Sequence, residues 1–199
     1  MTEDINAGAL KDSLAKAGLV PGPAEQLLGG DFKPTVNLEI SYAGKPVEQG
    51  TDFSATEANV APAIAFAPEG HDVGSRASYT VILVDCDISA SGEGFFRHWV
   101  LPGLTPLSSS SEHIVAQTKW ALTPYLGPAP EEGSKPHRYL FLLYREPKNL
   151  DMSKDDLDGD EVDQRRRFKP SGFAEKHGLT LVGVNWMTCS ADEVQVEEA

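Results

Sequence analysis

The sequence predicts a mainly β domain: two packed antiparallel sheets with short peripheral helices at the N-terminus and near residues 171–177. Three observations predict it. β-branched and aromatic residues fall in short clusters, 18 Gly and 14 Pro punctuate the 199 residues, and two of the clusters are apolar on both faces. One core of this size buries roughly 70% of the unfolded-chain surface, so a single domain over 1–199 needs no disulfide or metal staple.

Residues 6–19 carry helical spacing: Leu10, Leu14 and Ala17 share a face, Asn6 stands at the cap, and Gly18 sits where the helix would stop. A second short helix is expected after Pro23, with Leu27 and Leu28 apolar before Gly29-Gly30. Residues 1–30 thus read as a helical appendage on a β core spanning 36–190. At Val36 the period changes to two, because Val36, Leu38, Ile40 and Tyr42 alternate with polar residues up to the break at Gly44-Lys45-Pro46. Further strands are expected at 63–66, 79–87, 97–101, 114–121, 138–144 and 179–187. Residues 79–84 and 139–144 are apolar on both faces, as expected of strands covered on both sides, and form the predicted centre.

Residues 151–163 hold seven acids against one Lys, and Arg165-Arg166-Arg167 then reverses the sign. That pattern predicts a solvated, mobile loop. A short helix over 171–177 follows, with Ser171 as its cap, Gly178 as its stop, and Lys176 and His177 at its negative end.

A formal charge of −13 and a pI near 4.7 exclude nucleic acid as a general partner, since counterion release needs a concentrated basic face. No apolar run is long enough to span a bilayer, and Met1-Thr2-Glu3-Asp4 is acidic where a signal peptide is basic. Only Cys86 and Cys189 are present, far apart, which fits a reducing compartment; the expected location is cytoplasmic.

Asp85-Cys86-Asp87 ends an apolar strand, where alternation would put both carboxylates on one face and Cys86 on the other. Such a pair can orient imidazole rings, bind a cation or share a proton, and it can equally be a solvated strand end. His98 stands among apolar neighbours in Phe96-Arg97-His98-Trp99-Val100, either as a satisfied core residue or as part of a site. His137, after a Gly/Pro-rich loop, opens the same two readings. His71 lies in a polar Gly-rich stretch, His113 follows a serine run and His177 stands at a helix end, and all three read as ordinary histidines without a functional role.

These stretches carry a resemblance. YTVILVDCD at 79–87, His98-Trp99-Val100, the GPAP of 127–130, GSKPHRYLFLLY at 133–144, Pro147-Lys148 and Arg167-Phe168-Lys169 resemble the phosphatidylethanolamine-binding protein family over most of 36–190. The N-terminal extension and the spelling of the GPAP and HRY blocks look most like its fungal branch, which includes cytosolic inhibitors of a serine carboxypeptidase. The resemblance implies a β-sandwich and a non-catalytic, ligand-binding role without a cofactor. It also implies a pocket of Asp85, Asp87, His98, His137 and Tyr139, rimmed by Ala129 and Pro130. Imidazolium donors suit phosphate or phosphoethanolamine-type anions or phospholipid head groups, with a carboxylate orienting the rings. Cys86 and Ser89 stand where the family usually has prolines, the span from Asp85 to His98 is short for the family, and Glu131 replaces a further proline beside Pro130.

Two other classes compete. One is a signalling scaffold for kinases or small-GTPase regulators. The other is a metal-dependent hydrolase, because two His and one Asp are a common divalent-metal set. The run Asp156-Leu157-Asp158-Gly159-Asp160 fails as an EF-hand, since Lys154 and Arg165 fall at its first and last ligand positions. Neither GxSxG nor a phosphate-binding glycine loop occurs, and Cys86 between two carboxylates is a poor nucleophile.

Overall fold

In the computed structural model, residues 7–29, 32–69, 77–88, 94–107 and 113–192 are described. The strands are β1 (Glu39–Tyr42), β2 (Lys45–Pro46), β3 (Thr51–Ser54), β4 (Ala63–Ala65), β5 (Tyr79–Asp85), β6 (Phe96–Pro106), β7 (Val115–Gln117), β8 (His137–Arg145) and β9 (Thr180–Ser190). A six-stranded sheet in the order β3-β9-β8-β5-β6-β7 faces a three-stranded sheet in the order β2-β1-β4. The helices are α1 (Ala7–Lys16), α2 (Glu25–Leu28) and α3 (Pro170–His177).

Alternation along the central strands divides the core in two. Ile82, Val84, Leu140, Leu142 and Trp186 pack against Leu10 and Leu14 of α1, Leu27 and Leu28 of α2, and Phe173 of α3. On the opposite face, Val81, Leu83, Tyr139, Phe141 and Leu143 pack against Val36, Leu38, Ile40 and Tyr42 beside the small sheet. Every residue of β5 is buried, Thr80 and Asp85 included, as in a strand covered on both sides. The molecule therefore has three layers: helices, large sheet, small sheet. Residues 7–28 and α3 together form the helical layer.

Several details differ from the sequence expectation. The large sheet is antiparallel except at one edge, where the short β3 pairs parallel with β9. Strands β2 and β3 are too short and polar to show a period of two, and β6 runs on to Pro106 through a register shift at Gly103, whose φ is +76°. Ser171 does not cap α3: Lys169 holds that place, Pro170 opens the helix, and the Ser171 hydroxyl donates to the Gln26 carbonyl at 2.9 Å. Gly178 does end it, in the left-handed conformation. The cap at Asn6 lies outside the described residues.

The acidic segment is not a free loop. It forms two 3-10 turns, Lys154–Asp156 and Val162–Arg165, each closed by a capping box. Two buried guanidiniums pin it to the body. Arg97 donates to the Gly159 carbonyl and to Thr123 Oγ1, and Arg165 bonds the carbonyls of Asp160, Pro124 and His98. The charge reversal in the sequence marks this anchor.

Candidate functional site

Strands β6, β5 and β8 lie side by side, and Asp85, the last residue of β5, stands between Phe96 and Tyr139. Tyr139 and His137 are two residues apart on β8, so both face the side that Asp85 faces. His98 reaches that side differently. The register of β6 slips between Leu83↔Trp99 and Val84↔Arg97, which leaves His98 as the extra residue of a β-bulge. A bulge re-aims a side chain, and here consecutive His98 and Trp99 both turn toward the Tyr139 side while Arg97 turns away onto the Phe168 ring. Gly94 sets the entry to β6: with φ at +94°, a Cβ there would lie 2.7 Å from the Arg167 backbone, against which the strand pairs through Phe95 and Phe168.

The result is a cluster of rings around one buried acid. The His98 ring lies 5.2 Å from that of Tyr139, edge-on, and 4.7 Å from that of Phe96; the His137 ring stacks over Tyr139 at 6.5 Å. Asp85 has no solvent exposure, and its Oδ2 accepts from His137 Nδ1 at 2.8 Å while Oδ1 accepts the backbone N–H of Asp87 at 2.6 Å. His98 Nδ1 contacts the Leu126 carbonyl at 2.7 Å, and the Leu126 N–H returns to the His98 carbonyl at 3.0 Å. A carbonyl oxygen only accepts, so Nδ1 carries the proton. Among the described residues, His98 Nε2 is buried without a hydrogen-bond partner, whereas the Tyr139 hydroxyl bonds the Asp85 side chain. Burial pushes His98 down to about 4; the Leu126 bond and Asp85 act upward, and Arg165 and His137 downward. The Tyr139 hydroxyl is pushed well above its ordinary value, first by burial and then by Asp85.

Asp87 sits elsewhere. The strand stops at Asp85, so alternation does not continue, and the Asp87 carboxylate meets Arg138 on the helical side. It accepts from the backbone N–H, Nε and Nη2 of Arg138, whose Nη1 also donates to the carbonyls of Ala17 and Gly18. Burial raises the Asp87 carboxyl, but the Arg138 hydrogen bonds and charge outweigh it and hold the group below the usual range. Cys86 is buried among the apolar residues of the helical side, its thiol pushed well up by burial and then by Asp85 and Asp87.

Ala129 is exposed and Pro130 buried, on the loop that runs from the Leu126 anchor to His137. His113 and His177 lie apart from the cluster: His113 Nδ1 meets Glu39 at 2.8 Å, and His177 Nδ1 lies 3.2 Å from the Asp151 carbonyl. His71 is outside the described residues. Sequence reasoning missed Phe96, Leu126 and Arg165, which wall or fix His98. Only Arg165 left a signal, the basic run that follows seven acids. Among the described residues, no group of three or more His, Cys, Asp or Glu is placed to hold a metal ion.

With that geometry in view, comparison with known proteins is direct. The family model for phosphatidylethanolamine-binding protein matches residues 31–186. Carboxypeptidase Y inhibitor of Saccharomyces cerevisiae is 32% identical over 214 aligned residues, which take in 90% of this chain and 94% of that one. The crystal structure of carboxypeptidase Y inhibitor complexed with the cognate proteinase superposes with a TM-score of 0.76 at 25% identity, covering 96% of this chain and 100% of the other. Phosphatidylethanolamine-binding protein from Plasmodium vivax shares the fold, with a TM-score of 0.64 at 20% identity over 91% and 97% of the two chains. The chain belongs to the phosphatidylethanolamine-binding protein family.

Proposed function

We propose that this chain is a non-catalytic cytosolic binding and regulatory protein that inhibits a serine carboxypeptidase. In this reading, it holds phosphate-type anions in the hollow formed by Asp85, His98, His137 and Tyr139. The observation that carries the pocket is the convergence of both rings and the buried acid on Tyr139. Asp85 orients His137, Ala129 and Pro130 form the rim, and Asp87 supports the site indirectly by bonding the Arg138 backbone N–H next to His137. The inhibitory role is supported by the 32% identity to carboxypeptidase Y inhibitor across nearly the whole chain. Two buried, unpaired thiols suit a reducing cytosol.

The experiment has two arms. Adding phosphate should move the NMR signals of the His98 and His137 rings, and silence from both would remove the pocket. Purified protein should slow carboxypeptidase Y at near-stoichiometric concentration, and full protease activity at a large excess would remove the inhibitory role.

A further inference from the structure

His177 is the last residue of α3, and its side chain is only 5% exposed. Its Nδ1 lies 3.2 Å from the Asp151 carbonyl, which only accepts, so Nδ1 carries a proton. Nε2 is buried without a hydrogen-bond partner among the described residues, and Oδ2 of Asp156 stands 3.7 Å from it. In the neutral ring, a lone pair at Nε2 therefore faces a carboxylate and nothing donates to it. A second proton reverses this. Nδ1 still donates to Asp151, Nε2–H and its charge are set against Asp156, and the cation sits at the negative end of a helix.

Both partners of the ring belong to the near half of the acidic segment, residues 151–157. Leu157 is buried in the helical-side core, and Leu150 and Met152 pack against it. The far half is held by Arg97 and Arg165, whereas among the described residues the charged groups that bind the near half to the body are His177 and Lys176. Asp156 keeps its charge well into acid, because first the Lys176 hydrogen bond and then that of the Ser153 N–H hold its carboxyl below the usual range.

We infer that His177 is a proton-operated latch: the doubly protonated ring fastens residues 151–157 to the end of α3, and loss of the Nε2 proton loosens them. The latch is independent of the ring pocket around Tyr139. The charged groups facing it are Asp156 from the first 3-10 turn, which favours the second proton, and Lys176 from α3, which opposes it. Asp151 presents its carbonyl, and the Phe173 ring lies 4.7 Å away. The fastened state binds the extra proton, so fastening is strongest in acid and is lost as pH rises.

Amide hydrogen exchange of the full chain, followed by NMR at pH 5.5 and 8 and corrected for the intrinsic rate at each pH, reads the latch; a histidine changes charge across that interval. The reporting amides are Asp156 and Leu157, which bond the Ser153 and Lys154 carbonyls, and Ser153, which bonds Asp156 Oδ2. Gln164 and Arg165, whose amides bond the Glu161 carbonyl beside the arginine anchor, serve as the internal reference. Relative to these, protection of the reporting amides should be about three- to tenfold higher at pH 5.5, the effect of a cation at a partly buried helix end. The nitrogen-15 signal of His177 Nε2 should show protonation over the same interval. His177→Gln can still donate to Asp151 but carries no charge, and it should remove the gain; Lys176→Gln should keep it. Equal relative protection at the two pH values in the parent protein overturns the latch, whether or not the variants fold. So does a gain that survives in His177→Gln.

Discussion

The carboxylate of Asp85 accepts from Nδ1 of His137 at 2.8 Å across the β5–β8 boundary, while its second oxygen holds the Asp87 N–H at 2.6 Å. One buried acid therefore fixes both a ring of the site and the turn that leaves it. Asp85→Asn keeps the volume but places an amide NH₂ against one of these two donors. The expected loss is about 1–3 kcal/mol of stability, read as a lower urea midpoint at unchanged slope. Phosphate should also no longer shift the His137 ring. A variant as stable as the parent that still binds phosphate would show that the acid does neither task.

Asp87 and Arg138 make an acid-sensitive clasp between the sheet and the helical layer. The Asp87 carboxyl lies below its ordinary value near 3.8, despite burial, because Arg138 holds its charged form. A depressed carboxylate stabilises the fold above its unfolded pKa and loses that contribution as pH falls through the folded value. Stability measured from pH 5 downward should thus drop more steeply for the parent than for Arg138→Gln. Parallel curves would mean that the pair contributes nothing to acid sensitivity.

His98 has a larger pH signature in a higher window. Its ordinary value of 6.5 is pushed down to about 4, so between those limits the unfolded chain binds a proton that the folded chain refuses. Stability is then complete above pH 6.5 and declines as pH falls toward 4, by up to about 3 kcal/mol. His98→Asn retains a donor for the Leu126 carbonyl and removes the titration, which should flatten that decline. Urea unfolding at pH 4.5 and 7.0 makes the comparison, and an equal decline in both proteins would assign it to other groups.

Much of this architecture was legible because burial and period coincide. The runs at 79–84 and 139–144 are apolar on both faces, as expected of strands covered on both sides, and β5 and β8 are these strands. Asp85, His98, His137 and Tyr139 do cluster, yet the reason for His98 was hidden. A bulge is a pairing event between distant strands, and nothing local in Phe96-Arg97-His98-Trp99 announces it. Asp87 misled for the converse reason: alternation was carried two residues past the point where the strand ends. The acidic segment misled because composition alone favours solvation, whereas the two arginines that pin it lie within β6 and at the far end of the segment itself.

The N-terminal helices look detachable in sequence, but their contacts make them a wall of the core. Leu10, Leu14 and Leu19 are buried in the cluster that contains Ile82, Leu140 and Trp186, and the Trp186 indole donates to Ser13 Oγ at 3.1 Å. Arg138 reaches the carbonyls of Ala17 and Gly18 as well, tying the same layer to the end of β8 beside the site. Leu14→Ala should therefore cost about 2–5 kcal/mol, the range for a buried leucine that leaves a cavity. Deletion through residue 20 would uncover the part of the apolar face that Leu10, Leu14 and Leu19 cover, so its thermal transition should fall sharply or lose cooperativity by circular dichroism. If the chain inhibits a carboxypeptidase as proposed, loss of that inhibition in the deletion would report unfolding, and substitutions of exposed residues are what would locate the surface responsible. A deletion variant that melts with the full-length protein would instead return these helices to the status of an appendage.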